Sequence, residues 1–174
     1  MLDHPNIKLL LHTSFDEVME IQQGRPHFLG QPFEGKLVYT GMLDELFGFR
    51  FGELPYRSLR MRFETLEMES YQSAPVVNYP NNYDFTRITE FKKIHPASSK
   101  HTVILKEYPE AYERGKNIPY YPIFTEENQA MYRRYREEAE KVPNLILLGR
   151  LAEYRYYDMD DIVKRALDIC GTLS

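Results

Sequence analysis

The chain has 174 residues, 43% hydrophobic and 28% charged, with a formal net charge of −4. That length and apolar content suit one globular domain, or one domain with pieces of a second. The mild acidic balance excludes the basic footprint of a nucleic-acid binder, a single cysteine excludes an internal disulfide, and no apolar run reaches the length of a membrane span.

The first residues, MLDHPNIKLLLHTSF, lack the basic region and small-residue cleavage site of a secretory signal, so a soluble cytoplasmic protein is expected. Apolar IKLLLHTSF (7–15), bounded by Pro5–Asn6, predicts a buried strand. Gly24, Pro26, Gly30 and Pro32 mark a loop or irregular hairpin, and KLVYTG (36–41) predicts a second strand. Residues 43–57 hold two glycines and a proline, consistent with one helical turn and a crossing segment. SLRMRFETLE (58–67) alternates, with Leu59, Met61 and Phe63 on one side and Arg60, Arg62 and Glu64 on the other, as a half-buried strand does.

PVVNYP (75–80), DFTRITEFKKI (84–94) and HTVILKEY (101–108) are further strand candidates, and the short links between them predict an antiparallel meander. TEENQAMYRRYREEAEKV (125–142) reads as a helix capped by Thr125, with Met131, Tyr135, Ala139 and Val142 on one stripe. NLILLG (144–149) reads as a buried strand, and a last helix opens at Asp158 with Ile162, Val163, Ala166 and Leu167 facing inward. Cys170 is expected to be an inert packing residue. His4, His12, His27, His95 and His101 show no metal-ligand spacing, so no metal site is expected.

The stretch between that strand and helix, GRLAEYRYYDMD (149–160), crowds tyrosines and arginines at a helix start. Free N–H groups and a partial positive charge there suit a phosphate or the carbonyl edge of a flavin, and Arg150 adds a cation. A capped surface helix with tyrosines packed beneath it fits the same residues.

GRLAEYRYYDMD resembles the C-terminal signature of the UDP-galactopyranose mutase family. LVYTGMLDELFGFRFGELPYRSLR (37–60), YQSAPVVNYP (71–80), DFTRITEFK (84–92), TVILKEYP (102–109) and PYYPI (119–123) resemble that family's successive segments in order. The resemblance implies an α+β fold, with an antiparallel substrate sheet over 43–124 flanked by pieces of an FAD-binding domain at 1–42 and 125–174. It implies a flavoenzyme that interconverts UDP-galactopyranose and UDP-galactofuranose, in which N5 of reduced FAD attacks the anomeric carbon and UDP departs. By the same resemblance Arg87, Tyr121 and Tyr156 grip the substrate diphosphate and Asn78 lies near the substrate. Arg150, Asp158, Met159 and Arg57 lie at the flavin. No side chain is expected to act as a general base, since the cofactor carries the chemistry; Glu153 and Asp160 read as exposed acids without a catalytic role.

Two family features have no counterpart: the glycine-rich dinucleotide-binding turn and the mobile substrate-covering loop. Met42 stands where the family tends to have proline. The chain therefore resembles the C-terminal half of the enzyme. On that reading it binds FAD weakly or not at all and turns over nothing by itself, needs the N-terminal half as partner, and self-associates through an uncovered apolar face. A non-catalytic nucleotide-sugar binding module and the C-terminal part of another FAD oxidoreductase are the alternatives.

Overall fold

The computed structural model describes residues 2–173. In chain order the elements are α1 (Phe15–Val18), β1 (Met19–Gln22), β2 (Arg25–Phe28), β3 (Gln31–Pro32), β4 (Leu37–Tyr39), α2 (Leu43–Leu46), β5 (Tyr56–Leu66), β6 (Val76–Asn78), β7 (Arg87–Glu90), α3 (Phe91–Ile94), β8 (Thr102–Ala111), β9 (Tyr121–Pro122), α4 (Glu126–Ala139), β10 (Leu145–Leu147) and α5 (Met159–Thr172). Helices and strands are mixed as an α+β fold. The chain forms two compact units: Met1–Leu54 with Phe124–Ser174, and Pro55–Ile123.

The Pro55–Ile123 unit is a five-stranded sheet in the order β6-β7-β8-β5-β9, antiparallel throughout. It is not the simple meander that the spacing predicts, because β5 inserts between β8 and β9. The alternation along β5 is as read, and Arg60 and Arg62 are exposed as expected, but Met61 and Phe63 are not covered. Ser58, with Ile88, Glu90 and Ile104 on the same face, is fully buried, whereas Met61 is 42% exposed and Phe63 62%. The predicted strand at 84–94 stops at Glu90, after which Phe91–Ile94 makes one helical turn. Two anchors explain the stop. The buried Glu90 carboxylate accepts from the N–H groups of Tyr71 and Gln72, each at 3.0 Å, and from the Thr102 hydroxyl at 2.7 Å. The Lys92 ammonium donates to the carbonyls of Glu69 and Ser99, which folds the chain back.

In the other unit, β1, β2 and β3 form a small antiparallel meander. Its two-residue turns, Gln23–Gly24 and Leu29–Gly30, have positive φ at both positions (50° and 76°, 48° and 75°), the backbone that closes a tight hairpin. β10 and β4 pair in parallel, Leu145 opposite Leu37 and Leu147 opposite Tyr39. α4 is capped as expected, Thr125 Oγ1 accepting from Asn128 N–H. Its Tyr135 is fully buried and takes the Phe51 N–H at 2.9 Å while donating to the Gly52 carbonyl at 2.7 Å. That pair of bonds fixes the 47–52 loop, where Gly52 has φ +103°.

Three expectations fail in this unit. Residues 7–14 are not a buried strand; Ile7, Leu9, Leu10 and Leu11 are exposed, and no described strand pairs with them. An apolar run becomes a strand only where a ladder partner takes its backbone. Val163 and Leu167 of α5 face outward and Ile169 is the buried residue, so the inner stripe is rotated from the one predicted. Cys170 is exposed rather than packed.

Candidate functional site

Four of the eight expected site residues sit on the five-stranded sheet, and register puts them on one face. Asn78 lies opposite Arg87, Arg87 opposite Glu107, and Glu107 opposite Met61, in one row across β6, β7, β8 and β5. Directly opposed residues project to the same side of a sheet. Four positions back along β5, on that same side, Arg57 lies opposite Tyr121.

The Arg87 guanidinium is braced from two directions. Its Nε donates to Asn78 Oδ1 at 3.0 Å, and its Nη1 lies 3.9 Å from Glu107 Oε2. The Arg87 side chain remains 43% exposed, so a held guanidinium still faces solvent. This fork suits two phosphate oxygens at once. Asn78 thus acts on Arg87 directly. Glu107 was not singled out in the sequence; the signal was available, since it lies two residues from Leu105, on the same face of the strand beside Arg87.

The other four residues, Arg150, Tyr156, Asp158 and Met159, lie together where the chain passes from β10 into α5. Arg150 Nε and Nη2 both donate to the Tyr157 carbonyl, at 2.9 and 2.5 Å, and its Cζ stands 4.7 Å over the Tyr156 ring. The Tyr156 hydroxyl donates to Asp158 Oδ1 at 2.9 Å. Of the three tyrosines crowded there, Tyr154 and Tyr157 are buried and only Tyr156 faces outward. Tyr154 stacks on Tyr132, its ring centroid 5.5 Å away. The packing reading holds for two of these tyrosines, and the third is exposed.

Asp158 occupies the N-cap position of α5, yet its side chain makes no cap bond to the helix. Its carboxylate is turned to Tyr156, which leaves the first-turn N–H groups without a side-chain cap. An acceptor group of a ligand fits there. Glu153, read as an exposed acid, is in fact nearly buried. Its Oε2 accepts from Gly149 N–H and its Oε1 from Arg165 Nε, each at 3.0 Å. Burial, with Glu153 beside it, pushes the Tyr157 hydroxyl above its ordinary range. One carboxylate therefore ties the start and end of the loop to the second turn of α5. Nothing in the order of residues marks it, because its partners come together only when the loop folds.

Among the described residues no group of His, Cys, Asp or Glu forms a metal cluster, and no helix is long and apolar enough to cross a membrane.

Residues 1–156 match a family model described as UDP-galactopyranose mutase. The chain is 36% identical over 172 residues to the UDP-galactopyranose mutase of Mycoplasma pneumoniae, which covers 96% of this chain and 43% of that protein. It is 37% identical over 168 residues to the UDP-galactopyranose mutase of Mycoplasma genitalium, covering 94% and 41%. It is 30% identical over 180 residues to the dTDP-fucopyranose mutase of Escherichia coli, covering 99% and 45%. The chain thus spans less than half the length of these curated relatives.

Proposed function

Because the chain belongs to the UDP-galactopyranose mutase family, we propose that it provides the diphosphate-gripping sheet and the flavin-facing loop of a mutase acting on UDP-galactose. The observation that carries this reading is Arg87, braced by Asn78 and Glu107 with its guanidinium open to solvent. Relatives named for a UDP sugar and for a dTDP sugar have in common a nucleoside diphosphate. A guanidinium fork recognises that shared part whatever the base or sugar. Tyr121, opposite Arg57 on the same sheet face, adds a hydroxyl donor to a phosphate oxygen; the Tyr156 hydroxyl, which donates to Asp158 Oδ1, would exchange that bond to do the same.

Arg150, Asp158 and Met159 would hold the flavin at the start of α5. The uncapped N–H groups, the turned-away Asp158 carboxylate and the fixed Arg150 cation suit its electron-rich carbonyl edge. When bound in its reduced form, the flavin supplies the nucleophile for the anomeric carbon of the sugar. Arg87 stabilises the diphosphate as it leaves with the added negative charge. Arg57 contributes a second cation on the same sheet face.

No glycine-rich dinucleotide-binding turn lies within these residues, so we assign cofactor retention and turnover to the family polypeptide as a whole, acting where other cytoplasmic nucleotide-sugar enzymes act. Calorimetric titration of the chain with UDP tests the reading. Saturable binding that weakens at least tenfold in Arg87→Ala supports it. No binding to the folded chain sinks it for these residues alone.

A further inference from the structure

β6 is three residues long, lies at the edge of the five-stranded sheet and pairs with β7. Its last ladder pair is Asn78 with Arg87, and one further bond runs from the Tyr79 N–H to the Thr86 carbonyl at 2.8 Å. The chain then loops over 80–85, a longer connection than the two-residue turns that lock a hairpin in register. An edge strand this short, closed by a loop this long, has little in its own backbone to fix its register. Yet the bond from Arg87 Nε to Asn78 Oδ1 at 3.0 Å depends on that register.

Aromatic rings supply the hold. Tyr79, Tyr83 and Phe85 stand with their ring centroids 5.0 Å apart in all three pairs, and Phe85 meets Tyr108 of β8 at 6.0 Å. The Tyr79–Tyr83, Tyr79–Phe85 and Phe85–Tyr108 contacts are edge-to-face, as ring quadrupoles favour. Lys106 Nζ, which also pairs with Glu64, lies 5.7 Å from the Phe85 centroid, and Arg60 Cζ stands 4.3 Å over Tyr108. Lys106 and Tyr108 flank Glu107 in sequence, so they point to the face opposite the Arg87 row. The rings therefore hold the hairpin from behind and leave the face of Arg87 clear. Phe85, Thr86 and Arg87 are all fastened to one stretch of β8. Phe85 meets the Tyr108 ring, the Thr86 N–H donates to the Glu107 carbonyl at 2.9 Å, and Arg87 pairs with the Glu107 carboxylate. The buried core of the unit is made by other residues, among them Ile88, Glu90, Thr102 and Ile104, while Phe85 is half-buried and Tyr83 is exposed.

We propose that Phe85 is a positioning residue for Arg87. Its ring ties the 79–85 loop to β8, which keeps β6 in register and Asn78 against the guanidinium. Arg87 is thereby ordered before a diphosphate arrives, so less of that ordering is charged to binding. The proposal rests on the diphosphate reading above for what Arg87 grips, and on the ring geometry for how Arg87 is held.

The test compares Phe85→Leu, which keeps apolar bulk and removes the ring, with Phe85→Tyr, which keeps the ring. Hydrogen exchange at Arg87 Nε is read by NMR on the ligand-free chain. Phe85→Leu is expected to speed it about threefold and Phe85→Tyr to leave it within about twofold of the unsubstituted chain, with the Ile88 and Ile104 amides unchanged. UDP affinity should fall about threefold in Phe85→Leu. In an Asn78→Ala background the same substitution should cost less than about 1.5-fold, because the brace it aligns is already gone. Unchanged Nε exchange in Phe85→Leu overturns the proposal. So does exchange that speeds at Ile88 and Ile104 in step with Nε, which would make the ring a general support of the sheet, and so does a UDP effect that simply adds to that of Asn78→Ala. An unsubstituted chain that binds no UDP ends the diphosphate reading, and Nε exchange still decides whether Phe85 positions Arg87.

Discussion

The two sheets of this chain handle their backbones in opposite ways. The five-stranded sheet closes its long ladder within 69 consecutive residues, Pro55–Ile123, and ends in the very short edge strands β6 and β9. The two-stranded parallel sheet joins strands more than a hundred residues apart. Antiparallel pairing can be completed locally, whereas parallel pairing needs crossovers and flanking layers. The arginine proposed to grip a diphosphate thus rests on a sheet closed within one stretch of chain, and the loop proposed to face a flavin follows a strand whose partner is far away in sequence.

The sharpest way to break that contrast is to undo the clasp inside the self-contained unit. Burial raises the Glu90 carboxyl, but the hydrogen bonds from Gln72, Thr102 and Tyr71 outweigh it and hold the group ionised below its usual range. Glu90→Ala strands three donors, and the unit is expected to lose about 3–5 kcal/mol of stability in urea unfolding. The pKa logic gives a companion effect: stability from Glu90 is present above the ordinary carboxyl range and falls as pH drops through its lowered folded value.

Asp44 in the other unit runs the opposite way. Its Oδ2 accepts from the Leu54 N–H at 2.8 Å, while Oδ1 has no partner among the described residues. Burial pushes its carboxyl from 3.8 up to about 6. A raised acid favours the folded state at low pH, so this contribution is full below about pH 4 and is lost as pH rises through 6. The expected change is about 3 kcal/mol. Asp44→Asn should flatten the stability profile between those values, read by thermal unfolding at stepped pH. A profile unchanged by the substitution would show that another group carries it.

Smaller effects sharpen the comparison at the sites themselves. Glu107→Gln should weaken UDP binding about threefold while Arg87→Ala weakens it at least tenfold, since the first loosens the guanidinium and the second removes it. Glu153→Gln keeps an acceptor for Gly149 but no charge for Arg165. It should cost about 1 kcal/mol and speed amide exchange in 149–158, and, since Tyr156 lies in that loop, weaken UDP binding slightly and less than Glu107→Gln does. At the small end, breaking the exposed Arg136–Glu140 pair should change stability by less than about 0.5 kcal/mol.

Which features were legible in the sequence follows the same divide. Thr125 and the α4 stripe were readable because capping and a 3.6-residue period are local. The alternation on β5 was readable too, but not which side would be covered. That depends on what packs against the sheet, so Met61 and Phe63 were placed inward when they face out. IKLLLHTSF misled for a related reason: apolarity sets the wish for a partner, and the partner decides the strand. Arg87, Tyr121 and Arg150 were singled out by resemblance to a family; their functional roles are proposals that their local chemistry suits. Glu107 and Glu153 were passed over, because a brace is defined by contacts between segments far apart in the chain.

Cys170 has a practical consequence of its own. It is the one thiol in the sequence, and it is exposed. Each molecule therefore has a covalent valence of one, so air oxidation can join molecules in pairs and no further. A species that vanishes with reductant is such a pair, and a trimer or larger assembly seen in solution must be held by non-covalent contacts.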